Sequence, residues 1–345
     1  GNGTAVRTVS HNLDSVPGAI WVKCTSHADS WGCYHRSTGN TKALFLNSTG
    51  GTTTNGTPWN NTTPTSTEFT LGSDNQYNGS GRTYVAYIFA HNDGSFGEDS
   101  DEAVIKCGTY AATASDGNKI TLGFEPQWLL IKNIDSSGTD WLILDTMRGA
   151  NYNTGIQLRA NLSNAEFANT DLRIDLHADG FSVNASNTMI NGNSGDDFVY
   201  IAIRRPHKPP EAATDVFAID TKSAKSANTP SYTTNFPVDF SLRRNDITSV
   251  NSASIFTRLT AGERLLTDSK AAASTDATFD DHFMFNNGYG DFASGDSNDY
   301  GYFFKRAPGF MDVVAYTGNG VQGRNISHNL GVAPELMIVK NRETT

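Results

Sequence analysis

One segment occurs twice in this chain, and that repeat limits the fold more than anything else in the sequence. GNGTAVRTVSHNLDSVPGAIWVK occupies residues 1–23, and GNGVQGRNISHNLGVAPELMIVK runs from Gly318 to Lys340. The two align without a gap when Gly1 is laid on Gly318. Arg7 then meets Arg324, Ser10-His11-Asn12-Leu13 meets Ser327-His328-Asn329-Leu330, and Pro17 meets Pro334. A chain with a long internal period is built from repeated supersecondary units. The period contains shorter, diverged copies. PGAIWVK at Pro17, PQWLLIK at Pro126, PVDFSLR at Pro237 and PELMIVK at Pro334 each place a basic residue six positions after the proline: Lys23, Lys132, Arg243 and Lys340. Proline lacks the donor that a central ladder needs, so it suits the first position of a strand. The residues that follow are β-branched, aromatic or aliphatic.

A second strand follows each of the first three, as WGCYH from Trp31, WLILD from Trp141 and SIFTR from Ser254. A weaker marker comes next: Leu44 with Asn47, Leu158 with Asn161, and Leu265 with Asp268. Each copy closes on an aromatic strand after a turn rich in Gly, Asn, Ser and Asp: TYVAYIFAH (83–91), DFVYIAIRR (197–205) and DYGYFFKR (299–306). Such turn residues tolerate positive φ. Opening strands read AVIKCGTYA from Ala103, DVFAIDTKS from Asp215 and DVVAYTGNG from Asp312. The copy at the start of the chain has no opening strand, because residue 1 already lies in the GNG that follows one. The natural start is therefore expected to lie upstream.

These spacings predict an all-β protein of tandem β-sandwich modules, each of about 100 residues, arranged as a rod-like array. The expected modules are 1–96 (lacking its first strand), 103–206, 214–308 (diverged), and 310–345 as the start of a fourth that repeats 1–28. The connections at 92–102, 206–214 and 307–310 are short, and the proline-rich one favours an extended, stiff spacer. Thr260–Ser274 carries good helix formers and a Thr three residues before Glu263, which suggests either a short helix or a loop with one helical turn.

Composition excludes several functions. The net charge is −10 with no basic run, so the electrostatic footprint of a nucleic-acid binder is missing. No apolar stretch reaches the ~18–20 residues of a membrane-spanning helix. Three cysteines, Cys24, Cys33 and Cys107, do not make a disulfide framework. Free, partly buried thiols are expected, with a Cys24–Cys33 bridge across a hairpin as the alternative.

GRNISHNLGVAPELMIVKNRE, ITLGFEPQWLLIKNIDSSGTDWLILDTMRGA and KALFLNSTG together resemble repeats in tail-fibre and appendage proteins of marine bacteriophages, notably those infecting cyanobacteria. Those repeats are usually placed with the concanavalin A-like (laminin G-like, jelly-roll) β-sandwiches. The resemblance covers residues 1 to about 205 and 313–340; the third module departs from it by lacking the Trp. It implies a virion structural or host-attachment protein that self-associates, located on the virion outside the cell. It settles no sugar-binding residues. The alternative is a subunit of a head-to-tail cell-surface filament or adhesin with strand exchange between subunits.

No catalytic constellation emerges. G-x-S-x-G and H-E-x-x-H are both missing, so an enzyme, such as one degrading glycans, is the least favoured class. His11 and His328 recur in a turn and read as structural hydrogen-bond partners; His35, His91 and His282 each stand alone. Two stretches combine aromatic and amide or carboxylate groups in the way that polysaccharide binding requires. They supply Trp59, Asn60 and Asn61, and Tyr289, Asp291, Phe292 and Asn298 as carbohydrate candidates. The bland alternative is that Trp59 and Phe292 cap a core. Oxygen-rich loops supply Asp93, Glu98, Asp99 and Asp101, and Asp296 with Asp299, as candidate Ca²⁺ ligands, against the alternative of solvated acidic loops.

Overall fold

A computed structural model describes residues 1–96, 102–148, 155–169, 172–184, 187–223, 229–244, 252–260, 263–275, 282–291 and 299–343. The protein is all-β, with 36% strand and 4% helix in several separate sheets. The chain divides into two compact units. The first comprises Gly1–Leu144, Gln157–Phe167 and Val183–Arg205; the second comprises Asp145–Ile156, Ala168–Ser182 and Pro206–Thr345.

The first sequence module supplies β1 (Arg7–Ser10), β2 (Ala19–Cys24), β3 (Trp31–His35), β4 (Lys42–Phe45), β5 (Thr53–Thr54), β6 (Glu68–Leu71), the short helix α1 (Asn75–Asn78) and β7 (Tyr84–Phe89). The second supplies β8 (Ile105–Ala111), β9 (Asn118–Thr121), β10 (Pro126–Asn133), β11 (Leu142–Asp145), β12 (Gly155–Arg159), β13 (Phe167–Asn169), β14 (Ile174–His177), β15 (Gly180–Val183) and β16 (Asp197–Arg204). The third supplies β17 (Phe217–Thr221), β18 (Tyr232–Thr233), β19 (Phe240–Arg244), β20 (Ala253–Thr257), β21 (Glu263–Leu266), β22 (Ser274–Thr275), β23 (Gly288–Tyr289) and β24 (Tyr300–Phe304).

The main sheets repeat one order. The strand that begins after the proline lies at the centre, flanked by its hairpin partner and by the closing aromatic strand. The order is β7-β2-β3-β4-β5 in the first module, β8-β16-β10-β11-β12 in the second and β17-β24-β19-β20-β21-β22 in the third. The central strands pair antiparallel with the closing strands, with Lys23 opposite Val85, Lys132 opposite Val199 and Arg243 opposite Gly301. The opening strands β8 and β17 sit outside β16 and β24, whereas β7 ends its sheet.

Cores follow from which faces of the strands are apolar. In the first unit, Ala19, Cys33 and Leu44 from one main sheet share a buried cluster with Cys107, Leu130, Val199 and Ile201 from the other, together with Trp141. The main sheets of the first two sequence modules therefore share a buried cluster. The opposite face of β2, through Ile20 and Val22, packs with Tyr34, Trp59, Phe69, Leu71 and Tyr77, under the β1–β6 pair and α1. β2 is thus covered on both sides, which explains why AIWVKC shows no polar alternation. The second unit has its own aromatic core of Tyr232, Phe236, Val238, Phe256, Phe283, Tyr289 and Phe303.

The segment with helical composition after Thr260 is a strand. β21 pairs with β20 through Ser254 opposite Leu266 and Ile255 opposite Leu265. A single 3-10 turn at Arg258–Thr260 precedes it. Here sheet pairing overrides a modest helix propensity. Cys24 and Cys33 cannot bridge across their hairpin: Cys33 lies opposite Trp21, so the two side chains leave opposite faces, and all three cysteines are free and buried.

Candidate functional site

The residues shared between modules are structural clamps. At the post-proline basic position, Lys23 Nζ donates to the Asp29 carbonyl. Lys132 Nζ donates to the Thr139 carbonyl (2.8 Å) and Oγ1 (2.9 Å) and to the Thr49 carbonyl (3.2 Å). In both modules the lysine thus reaches into the loop joining the two hairpin strands. Lys132 is fully buried, and burial lowers its ammonium to about 8. The third marker is also explained. Asn47 Oδ1 accepts from Trp31 N–H (2.8 Å) and Asn161 Oδ1 from Trp141 N–H (2.9 Å). The recurring histidines repeat one turn as well: His11 Nδ1 accepts from Leu13 N–H (3.3 Å), and His328 Nδ1 from Leu330 N–H (3.2 Å).

A buried cluster of charge lies in the second unit and contains three of the sequence candidates. Tyr289 in β23 pairs with Tyr232 in β18. Its ring packs against Phe283 (5.2 Å between centroids) and Phe303 (5.4 Å), and its hydroxyl meets His282 Nδ1 at 2.6 Å. Gly288 makes this approach possible, because a Cβ there would lie 2.2 Å from the Tyr232 carbonyl oxygen. Asp291 follows. Its backbone N–H donates to Ser231 Oγ (3.0 Å), and its carboxylate pairs with Lys222 Nζ (2.8 Å) and Arg243 Nη1 (2.6 Å). Asp299 lies 4.0 Å from Lys222 Nζ. Arg243, the post-proline basic residue of this module, stacks its guanidinium over Phe256 at 5.0 Å and Tyr289 at 5.3 Å.

These four charged residues are buried, and they balance in sign. Burial by itself would raise the Asp291 carboxyl. The Arg243 guanidinium and the Lys222 ammonium overcome that effect and hold it at about 2. Burial pushes the Tyr289 hydroxyl up to about 12. A carboxylate held in its charged form by two cations has little basicity with which to accept a proton, and a buried phenol offers no face to a sugar. The cluster therefore suits fixing the aromatic core better than acid–base chemistry or ligand binding. Sequence reasoning missed Lys222 and the pairing role of Arg243. The usable signal was electrostatic, because two acidic residues beside a core strand require cations.

The remaining candidates are dispersed. Trp59 is 1% exposed, with its ring at 5.5 Å from Tyr34 and 5.2 Å from Tyr77, so it is a core residue and not a stacking platform. Asn60 and Asn61 both adopt a φ of 50°, the left-handed region that asparagine tolerates in turns. Asp93 closes a local turn by accepting from Ser95 N–H (3.1 Å) and Oγ (2.6 Å). Phe292, Asn298, Glu98, Asp99, Asp101 and Asp296 lie outside the described residues. Among the described residues, no group of three or more His, Cys, Asp or Glu converges to hold a metal ion.

The sequence pattern of a family described as "Domain of unknown function (DUF7483)" matches residues 1–206. The chain belongs to that family. Neither comparison with curated proteins nor comparison with solved structures finds a match. The DUF7483 region spans the first two sequence modules, whose main sheets share one core. Its far boundary falls beside Arg205, the last residue of the first compact unit.

Proposed function

We propose that this protein is a structural repeat segment of an extracellular appendage, of the bacteriophage tail-fibre kind, and not an enzyme. The observation that carries the reading is the use made of its repeated polar residues. Lys23 and Lys132, and Asn47 and Asn161, make corresponding contacts in the first two copies, and His11 and His328 close the same turn in the first and the fourth. Selection for repeated construction fits a part whose task is length and spacing. The resemblance to marine phage appendage repeats supports a virion location. In this reading host-surface polysaccharide meets exposed loops, since Trp59, Tyr289 and Asp291 are committed to cores.

Sedimenting particles from the native source and sequencing their peptides tests this reading. Peptides of this chain are expected with the virus particles, and purified protein should release no reducing sugar from polysaccharides. Recovery only with cell envelopes, or sugar release, overturns it.

A further inference from the structure

Lys222 stands where the opening strand of the third module meets its closing strand. β17 and β24 pair through Thr221 opposite Tyr300, and the ladder runs one step further, because the Lys222 N–H donates to the Asp299 carbonyl (2.9 Å). Lys222 and Asp299 are therefore directly opposed. Alternation puts both side chains on the face that carries Ala218 and Phe303, toward the aromatic core. Both residues are buried. Lys222 Nζ lies 2.8 Å from Asp291 Oδ2 and 4.0 Å from Asp299 Oδ2.

The two carboxylates are not equivalent. Asp291 is also held by Arg243 Nη1 at 2.6 Å, and a guanidinium keeps its proton, so the Asp291 charge is balanced without Lys222. That leaves Lys222 and Asp299 as a cation and an anion taken out of water, which is costly. A proton moved from Nζ to Asp299 removes both charges at once. It also yields a free amine, which is a nucleophile, beside a carboxylic acid. The second module shows the same corner without these parts. Cys107 opposite Ile201 corresponds to Ala218 opposite Phe303, so the pair Ala111 and Asp197 corresponds to Lys222 and Asp299. The acidic residue recurs there, but it is exposed and faces an alanine.

We propose that Lys222 Nζ and Asp299 Cγ condense after folding into a side-chain amide that ties β17 to β24. One proton passes from the Lys222 ammonium to the Asp299 carboxylate. The Nζ lone pair then attacks Cγ and forms the C–N bond. The nitrogen of the tetrahedral adduct gives up a second proton. Asp291, already bonded to Nζ, relays it to the Asp299 hydroxyl, which departs as water when its C–O bond breaks. Asp291 ends the step ionised as it began; a weak base suffices, because the nitrogen of the adduct is strongly acidic. An ammonium and a carboxylate thus become an amide and one water, and no other reactant is consumed. Two groups fixed by the ladder and the core react with the advantage of an intramolecular reaction. Burial then keeps water from the product. β17 opens the module and β24 closes it, so tension along a tandem array passes through this pair, and a covalent tie carries that tension without unzipping the sheet. This use rests on the appendage reading; the bond itself does not.

The test is the intact mass of the purified full-length chain, incubated folded and then denatured. The expected mass is one water below that of the sequence, and trypsin should yield a branched species in which the Lys222 and Asp299 peptides are joined. Lys222→Arg, which keeps a cation beside Asp291, and Asp299→Ala should each have their full sequence mass. A folded parent protein at full mass overturns the proposal, as does a water lost elsewhere, a Lys222–Asp291 bond included. The parent measurement decides even where a variant fails to fold. It does so wherever the protein is found in its source, so the bond and the appendage reading can fail separately.

Discussion

His35 makes the stability of the first unit sensitive to mild acid. It ends β3, is 3% exposed, and is fixed in one protonation state by two opposed hydrogen bonds. Nδ1 accepts from Ser37 N–H (3.2 Å), so the proton is on Nε2, which donates to the Tyr200 carbonyl (3.1 Å). A second proton would have no acceptor at Nδ1. Burial lowers the imidazole from 6.5 to about 4; the Tyr200 bond opposes that shift, and His91 and Arg36 reinforce it. Because the folded pKa is depressed, between these limits the unfolded chain binds a proton that the folded chain refuses. Stability is therefore fully present above pH 6.5, falls with decreasing pH, and has lost the whole contribution below about 4. Each pH unit is worth ~1.4 kcal/mol, so the loss between pH 7 and 4.5 is roughly 2–3 kcal/mol. Urea unfolding followed by tryptophan fluorescence at both pH values measures it. His35→Gln removes this part of the pH dependence, whatever it does to stability at pH 7. A variant whose stability falls with pH as steeply as that of the parent would refute the reasoning.

Three other outcomes follow from buried contacts. Asp291→Ala leaves Lys222 and Arg243 without their main counter-charge and should cost about 3–5 kcal/mol in unfolding experiments. Asn161→Ala orphans the N–H of buried Trp141 and should cost ~1–3 kcal/mol, whereas Asn47→Ala should cost less, because the Trp31 N–H bond is exposed and water can replace it. Burial pushes the Cys107 thiol up to about 12 and raises that of Cys33. Iodoacetamide at pH 8, which needs the thiolate, should leave both unlabelled in native protein and label all three cysteines in denaturant.

Much of the strand plan was legible in the sequence because each strand carries its own punctuation. Pro126 and the basic residue six positions later bracket β10, and the turn-rich stretch before Asp197 marks the start of β16. The strand β21 was not read: helix propensity in its segment pointed to a helical turn, although Leu265 with Asp268 repeats the spacing of Leu44 with Asn47, where β4 lies. The assignment of faces was less legible. AIWVKC and PQWLLIKN are apolar on both faces, which shows that both are covered but not by what. The shared core of the first two modules depends on that second fact. The sugar-binding candidates show a similar limit. Trp59 and Tyr289 sit among Asn, Gly and Asp and look like loop-tip aromatics, yet the chain folds each ring inward. Lys222, the partner of Asp291, lies far upstream in sequence, and no local pattern joins them.

The measurement that tests the central claim most directly is negative-stain imaging of native source material with gold-labelled antibody raised against residues 1–345. The account predicts gold along the tails or fibres of virus particles. Gold confined to cell envelopes or free filaments would contradict it.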